Sequence, residues 1–187
     1  MPYPAKTSPD DILAAALTLL ETGGPQELTM RSLAAALGLR ASSLYRHYTS
    51  REVLEAALAT EGTQRLHLAL ETAAAQQPPA EAIRNVADAY LHFAREHPAL
   101  YDLMHAAGPP KLATPGPAKD LWNLLLGLVG TVTGRADDTA GAVAFWAFLH
   151  GYRGLERDGL FGLSGPQQGL ARGLTALTLG LALDDRA

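Results

Sequence analysis

From Ser8 onward the chain is a succession of alanine- and leucine-rich stretches whose apolar residues recur every three or four positions, and no segment alternates polar with apolar over a useful length. The three-to-four spacing lines one face of a helix, whereas a half-buried strand needs a period of two. β-Branched residues, which favour strands, are sparse. The expected fold is therefore all-α, with about nine helices and no strand.

Helix boundaries are marked by caps and breakers. Ser8-Pro9-Asp10-Asp11 opens the first helix with a capping serine, a proline at the first helical position and acids on the positive end of the dipole. Ile12, Leu13, Ala16, Leu17 and Leu20 form its apolar face, and Gly23-Gly24-Pro25 ends it. Thr29 caps a short second helix carrying Leu33, Ala34 and Leu37, and Gly38 stops it. A third short helix follows at about 41 to 47. Thr49-Ser50-Arg51-Glu52 reads as a capping box on Thr49, opening a long helix over about 51–75. Gln76-Gln77-Pro78-Pro79 then breaks the chain. Further helices are expected at about 80–96, 98–106, 118–133, 137–157 and 166–183. Between the second and third of these, residues 108–117 hold four prolines and two glycines, a loop composition.

Charge is distributed unevenly. The whole chain carries a net charge of −4, yet Leu28 to Arg51 contains Arg31, Arg40, Arg46 and Arg51 with no Asp or Glu. A chain that repels nucleic acid overall has kept one basic segment, and phosphate neutralisation supplies much of the affinity of a DNA reader. The same segment has the pattern of a helix-turn-helix, in which one short helix lies across the DNA backbone and the next enters the major groove. Leu33, Ala34, Leu37, Leu39 and Leu44 are the expected inward positions; Ala41, Ser42, Ser43, Arg46 and His47 are the outward ones, able to reach base edges.

Other classes find less support. The chain has no cysteine, which removes disulfides, thiolate zinc sites and cysteine nucleophiles. Its longest apolar stretch, Leu121 to Thr133, is 13 residues, against the roughly 20 a membrane span requires. With no signal-like apolar run near Met1, a cytoplasmic protein with no membrane partner is expected. The C-terminal helices also lack the lysine-rich polar face of a membrane-surface helix. The competing reading is a small all-helical enzyme or metal-binding protein using the six histidines. Its best segment, His92 to His97, has the spacing H-x-x-x-E-H, which matches neither H-E-x-x-H nor H-x-x-E-H. No phosphate-binding glycine motif or G-x-S-x-G elbow is present, so no enzyme, cofactor or metal is expected.

The run TMRSLAAALGLRASSLYRHYTSREVLEAAL resembles the DNA-binding domain of the tetracycline-repressor (TetR) family of one-component regulators. Thr29, Ala34, Gly38, the stretch Leu44-Tyr45-Arg46-His47-Tyr48, and Arg51 stand at the family's pattern positions, with arginine in place of the usual lysine at 51. The resemblance implies phosphate contacts from Thr29, Tyr48 and Arg51. It implies groove contacts from Arg40, Ala41, Ser42, Ser43, Tyr45, Arg46 and His47. Arg40 stands where a capping serine is common, which would leave the third helix less well capped and Arg40 free for DNA.

The second half resembles the tryptophan-histidine-glycine (WHG) class of TetR C-terminal domains through Trp146, His150 and Gly151, followed by Leu155, Glu156 and Gly159. That likeness implies a reading head at 1–52 and a helical effector-binding and dimerisation domain at 53–187, with the helix over about 51–75 linking them. The last two long helices would form a four-helix bundle with a second subunit, using Phe148, His150, Gly151, Gly154, Leu174 and Leu177; Gly141 would join Gly151 and Gly154 in allowing close approach. An effector pocket would draw on Tyr90, Phe93, Tyr101, Met104, Trp122, Leu125, Phe145 and Trp146, with His92, His105 and Asn123 as polar handles and loop 108–117 as its mouth. Taken singly each aromatic is explained by core packing; together they imply a small, mostly apolar effector. The implied function is that of a repressor binding a palindromic DNA operator as a homodimer and released by that effector.

Overall fold

The structure is a computed structural model that describes residues 7–106, 114–162 and 168–183. Among these, every regular element is helical: α1 (Pro9–Gly23), α2 (Met30–Ala36), α3 (Ala41–Leu44), α4 (Arg51–Ala74), α5 (Pro79–Glu96), α6 (Pro98–Ala106), α7 (Pro117–Thr133), α8 (Thr139–Arg157) and α9 (Gly169–Leu183). The expected all-α fold is what the chain adopts, with nine helices among the described residues.

Local chemistry sets most of the boundaries. Asp11 donates its amide to the Ser8 hydroxyl at 3.1 Å, and the Ser8 amide donates back to the Asp11 carboxylate at 2.8 Å. This reciprocal box satisfies two of the orphan donors at the start of α1. It also holds the Asp11 carboxyl below its ordinary value, mainly through the Ser8 amide and then its hydroxyl. The start of α4 differs from the expected box on Thr49: the Leu54 amide bonds the Ser50 carbonyl and the Val53 amide bonds the Ser50 hydroxyl, both at 3.3 Å. A cap's own carbonyl accepts the first intrahelical bond, so Ser50 is the cap. Gln76, at φ 58, lies in the left-handed region just past α4, which turns the chain before Pro78-Pro79. α8 begins two residues later than expected because Asp138 caps it, accepting from the Gly141 amide at 2.9 Å. The expected start of the ninth helix at 166, and residues 108–113 of the proline-rich loop, lie outside the described residues.

The helices form two compact units. The first holds α1, α2, α3, α4 as far as Thr63, and α6. Its interior is built from Ile12, Ala16, Leu20, Leu28, Leu33, Leu44, Leu54, Leu58 and Leu100, all fully buried, and α1 packs on both α2 and α6. Each of the leucines and Ile12 contributes about 1.5–3 kcal/mol by leaving water. Gly62 permits a close approach of α4 and α6, since a Cβ there would lie 2.7 Å from the Met104 sulfur and 3.0 Å from Leu100.

The second unit holds α4 from Gln64, α5 up to Arg95, and α7 to α9. Leu66, Leu70, Ile83, Val86, Leu91, Val129, Phe145 and Leu149 are buried in it. α7 packs against both α8 and α9. Gly141 makes that three-helix contact tight: an added Cβ would come within 2.9 Å of Val129 on α7 and of Leu181 on α9.

Candidate nucleic-acid interface

In the first unit α2 and α3 meet across a tight turn. Thr29 caps α2, its hydroxyl accepting the Ser32 amide at 3.0 Å. At the other end Gly38 has φ 64, and the Leu39 amide reaches back to the Ala34 carbonyl at 2.8 Å. This is the left-handed C-terminal closure that glycine adopts without steric cost. A Cβ at Gly38 would meet nothing within 4 Å, so the requirement there is one of backbone conformation and not of space.

α3 is shorter than the expected 41–47. It ends at Leu44 because the amides of His47 and Tyr48 both turn onto the Leu44 carbonyl at 2.9 Å, and residues 45–47 continue as turns. Leu33, Ala34 and Leu44 are buried as expected, while Leu37 and Leu39 are half-buried. On the outer side Arg40, Ser42, Tyr45, Arg46 and His47 are exposed, and Ala41 and Ser43 half-exposed. Tyr45 is 47% exposed, so it is not a packing aromatic here. Arg40 is the N-cap of α3 and makes no side-chain capping bond, which leaves its guanidinium outside the helix.

The three residues expected at phosphates are tied into the fold. The Thr29 hydroxyl is 2.8 Å from that of Ser32 in addition to its capping bond. The Tyr48 hydroxyl donates to the Pro9 carbonyl at 3.3 Å, and burial, with Asp10 nearby, pushes its ionisation up. Arg51 donates through Nε to Glu55 at 2.7 Å and through Nη2 to the Pro25 carbonyl at 2.9 Å.

The residues expected around an effector divide between the units. Tyr101 is buried and Met104 half-buried in the first; the His105 ring lies tilted by 42° against that of Tyr101, ring centres 4.3 Å apart, with its Nδ1 2.8 Å from the Tyr101 carbonyl. In the second, Tyr90, Phe93, Leu125 and Phe145 are buried, and Trp122 and Trp146 are half-buried with rings 6.3 Å apart. His92 and Asn123 are exposed. None of these lines the open groove of about 560 Å³ on the outer face of α9, formed by Gln168, Ala171, Arg172, Thr175, Ala176 and Leu179.

Of the residues expected at a subunit interface, His150 and Gly151 are exposed, and Phe148, Gly154 and Leu177 half-buried; Leu174 is buried within the chain itself. Gly151 and Gly154 face open space, whereas Gly173, which the sequence did not single out, lies against the Phe148 ring. Arg153 also had no signal in the sequence. It is 7% exposed and donates to the Ala94 carbonyl near the end of α5 at 3.2 Å. Beside it Arg95 grips Glu156 with two nitrogens, at 2.6 and 3.0 Å, joining α5 to α8.

A capped two-helix motif with an acid-free outer face, followed by a larger helical unit, defines a helix-turn-helix transcriptional regulator. Family comparison agrees over both halves. The family model for bacterial regulatory proteins of the tetR family matches residues 12–58, and that for the tetracyclin repressor-like C-terminal domain matches residues 83–177. The chain is 33% identical to the uncharacterized HTH-type transcriptional regulator Rv0681 of Mycobacterium tuberculosis over 165 residues, covering 84% of this chain and 73% of that one. It also superposes on a protein of unknown function from Rhodococcus sp. RHA1 with a TM-score of 0.80 and 26% identity, over 97% and 99% of the two chains. BioQ solved with its double-stranded DNA operator is similar in fold, with a TM-score of 0.57 and 23% identity over 94% and 98%. The chain belongs to the TetR family of transcriptional regulators. It is a DNA-binding regulator and not an enzyme.

Proposed function

We propose that the protein is a repressor that binds an imperfect palindromic operator as a homodimer and leaves it when a small, mostly apolar effector binds. In this reading residues 1–52 read DNA, and residues 53–187 dimerise and sense. The observation that carries it is the solvent-facing set Arg40, Ser42, Tyr45, Arg46 and His47 around α3, with no acid between Leu28 and Arg51. One helix of this length spans only a few base pairs, so a twofold pair of heads about one helical turn apart supplies the remaining specificity. BioQ, of similar fold, is known bound to an operator duplex.

A second subunit is supported by the apolar residues that the single chain leaves in water. Val143 and Leu155 on α8 are 52% and 46% exposed, and Leu179 and Leu183 on α9 are 59% and 60% exposed. Of these, Leu179 and Leu183 stand four residues apart on one face of α9, and large apolar side chains left in water on a helix face are what a partner surface would cover. The buried aromatics Tyr90, Phe93 and Phe145 support an apolar effector, whose differential affinity for two dimer geometries would shift the population away from the DNA-competent one. Among the described residues no helix is long and apolar enough to cross a membrane, and a DNA reader of this kind acts in the cytoplasm.

The test is selection of duplexes from a random pool by the purified protein, followed by titration at increasing salt. A palindromic consensus with steep salt dependence is expected; equal, weak binding to every duplex would sink the reading. Arg46→Ala should weaken operator binding with the dimer intact.

A further inference from the structure

The cations of the reading head fall into two groups. Arg51 has committed its guanidinium internally, to Glu55 and to the Pro25 carbonyl, and so ties the connection between α1 and α2 to the first turn of α4. Arg31 on α2, Arg40 before α3 and Arg46 after it are exposed. Among the described residues none of these three makes a side-chain hydrogen bond or ion pair, and no acid lies between residues 28 and 51.

We propose that Arg51 is a positioning residue of the head, and that Arg31, together with Arg40 and Arg46, supplies the charge that neutralises the DNA backbone. The proposal rests on the DNA-binding reading above. Its physical basis is local charge balance. Around the start of α4 one cation, Arg51, is set against two acids, Glu52 and Glu55, a net charge of −1. To reach a phosphate Arg51 would have to release Glu55 and leave that carboxylate near the DNA, a like-charge cost. The α4 amides that would otherwise attract an anion are also in use: the Ser50 hydroxyl takes that of Val53 and the Ser50 carbonyl that of Leu54. Arg31 faces no such competition.

A lysine separates the two roles. It keeps the charge at position 51 but cannot reproduce two directed bonds from one planar fork. The experiment compares wild type, Arg31→Gln, Arg51→Gln and Arg51→Lys on a selected operator duplex between roughly 50 and 200 mM salt, with a melting temperature for each. Arg31→Gln should flatten the slope of log affinity against log salt by about 1.8, one phosphate's worth for each of the dimer's two heads, at an unchanged melting temperature. Arg51→Gln and Arg51→Lys should both weaken binding and lower the melting temperature with the slope kept. The proposal is overturned if Arg51→Gln flattens the slope and Arg51→Lys restores it, or if Arg31→Gln leaves the slope as it was. A wild type with neither sequence preference nor salt dependence removes the DNA reading itself, before any variant is compared.

Discussion

Gly173 on α9 lies so close to Phe148 on α8 that a Cβ added to it would stand 2.5 Å from the Phe148 ring. No aromatic ring carbon tolerates that approach, so the two helices would have to separate. Gly173→Ala is expected to lower stability by about 1–3 kcal/mol through overpacking. Phe148→Ala alone is also destabilising. In the double variant the clash is gone, so the two losses should sum to less than their separate values, which a double-mutant cycle of urea melts would measure.

At Gly38 the backbone, and not the space around it, is demanding. With φ 64 and nothing within 4 Å of an added Cβ, Gly38→Ala should cost about 1–2 kcal/mol of left-handed strain and no more. A larger loss in denaturant melts would reveal a packing role that the geometry does not contain.

Arg40 offers a case where stability and function should move in opposite directions. It caps α3 without a side-chain bond. Arg40→Ser would supply the missing acceptor and raise stability by about 0.5–1 kcal/mol, while removing a cation from the acid-free face. A higher melting temperature with weaker operator binding is expected; a fall in both would show that Arg40 packs against the head.

Leu179 is 59% exposed on α9 and lines its outer groove, so burying it contributes little to the isolated chain. If a second subunit covers that groove, Leu179→Glu should convert dimers to folded monomers in light scattering after size exclusion, and operator affinity should fall with it. A Leu179→Glu protein that stays dimeric places the subunit interface elsewhere.

Acid should weaken the α1 cap. The folded Asp11 carboxyl lies below its ordinary value of 3.8, so its contribution is complete above that value and is lost as pH falls through the lower, folded one. Melts of wild type and Asp11→Asn should therefore differ most near neutrality and converge below about pH 3.8. A gap that widened in acid would mean that the carboxylate is not the capping form.

How much of this was legible from the sequence depends on the distance over which each feature is decided. The Ser8 box, the Thr29 cap and the Gly38 turn involve partners within five residues, and reading Leu28 to Arg51 locates the two short helices and the turn between them. One-residue offsets escaped it, because Thr49 and Ser50 are both good caps and only the path of the chain decides which carbonyl accepts the first helical bond. The length of α3 escaped for the same reason, since periodicity continues through His47 while the hydrogen bonds converge on Leu44.

The sequence by itself determined the helical class, the caps and the acid-free segment, because those follow from side-chain chemistry at separations of a turn or less. Only the tertiary structure decided that Arg51 is bound to Pro25 and Glu55 while Arg31 makes no side-chain bond among the described residues, that Arg153 is buried against Ala94, and that Gly173 and not Gly151 lies against Phe148. Bonds such as Arg51 to Pro25 and Arg153 to Ala94 join residues 26 and 59 apart. No periodicity or propensity encodes which side chain meets which across such a gap; packing and the satisfaction of buried polar groups choose the pairing once the helices are assembled.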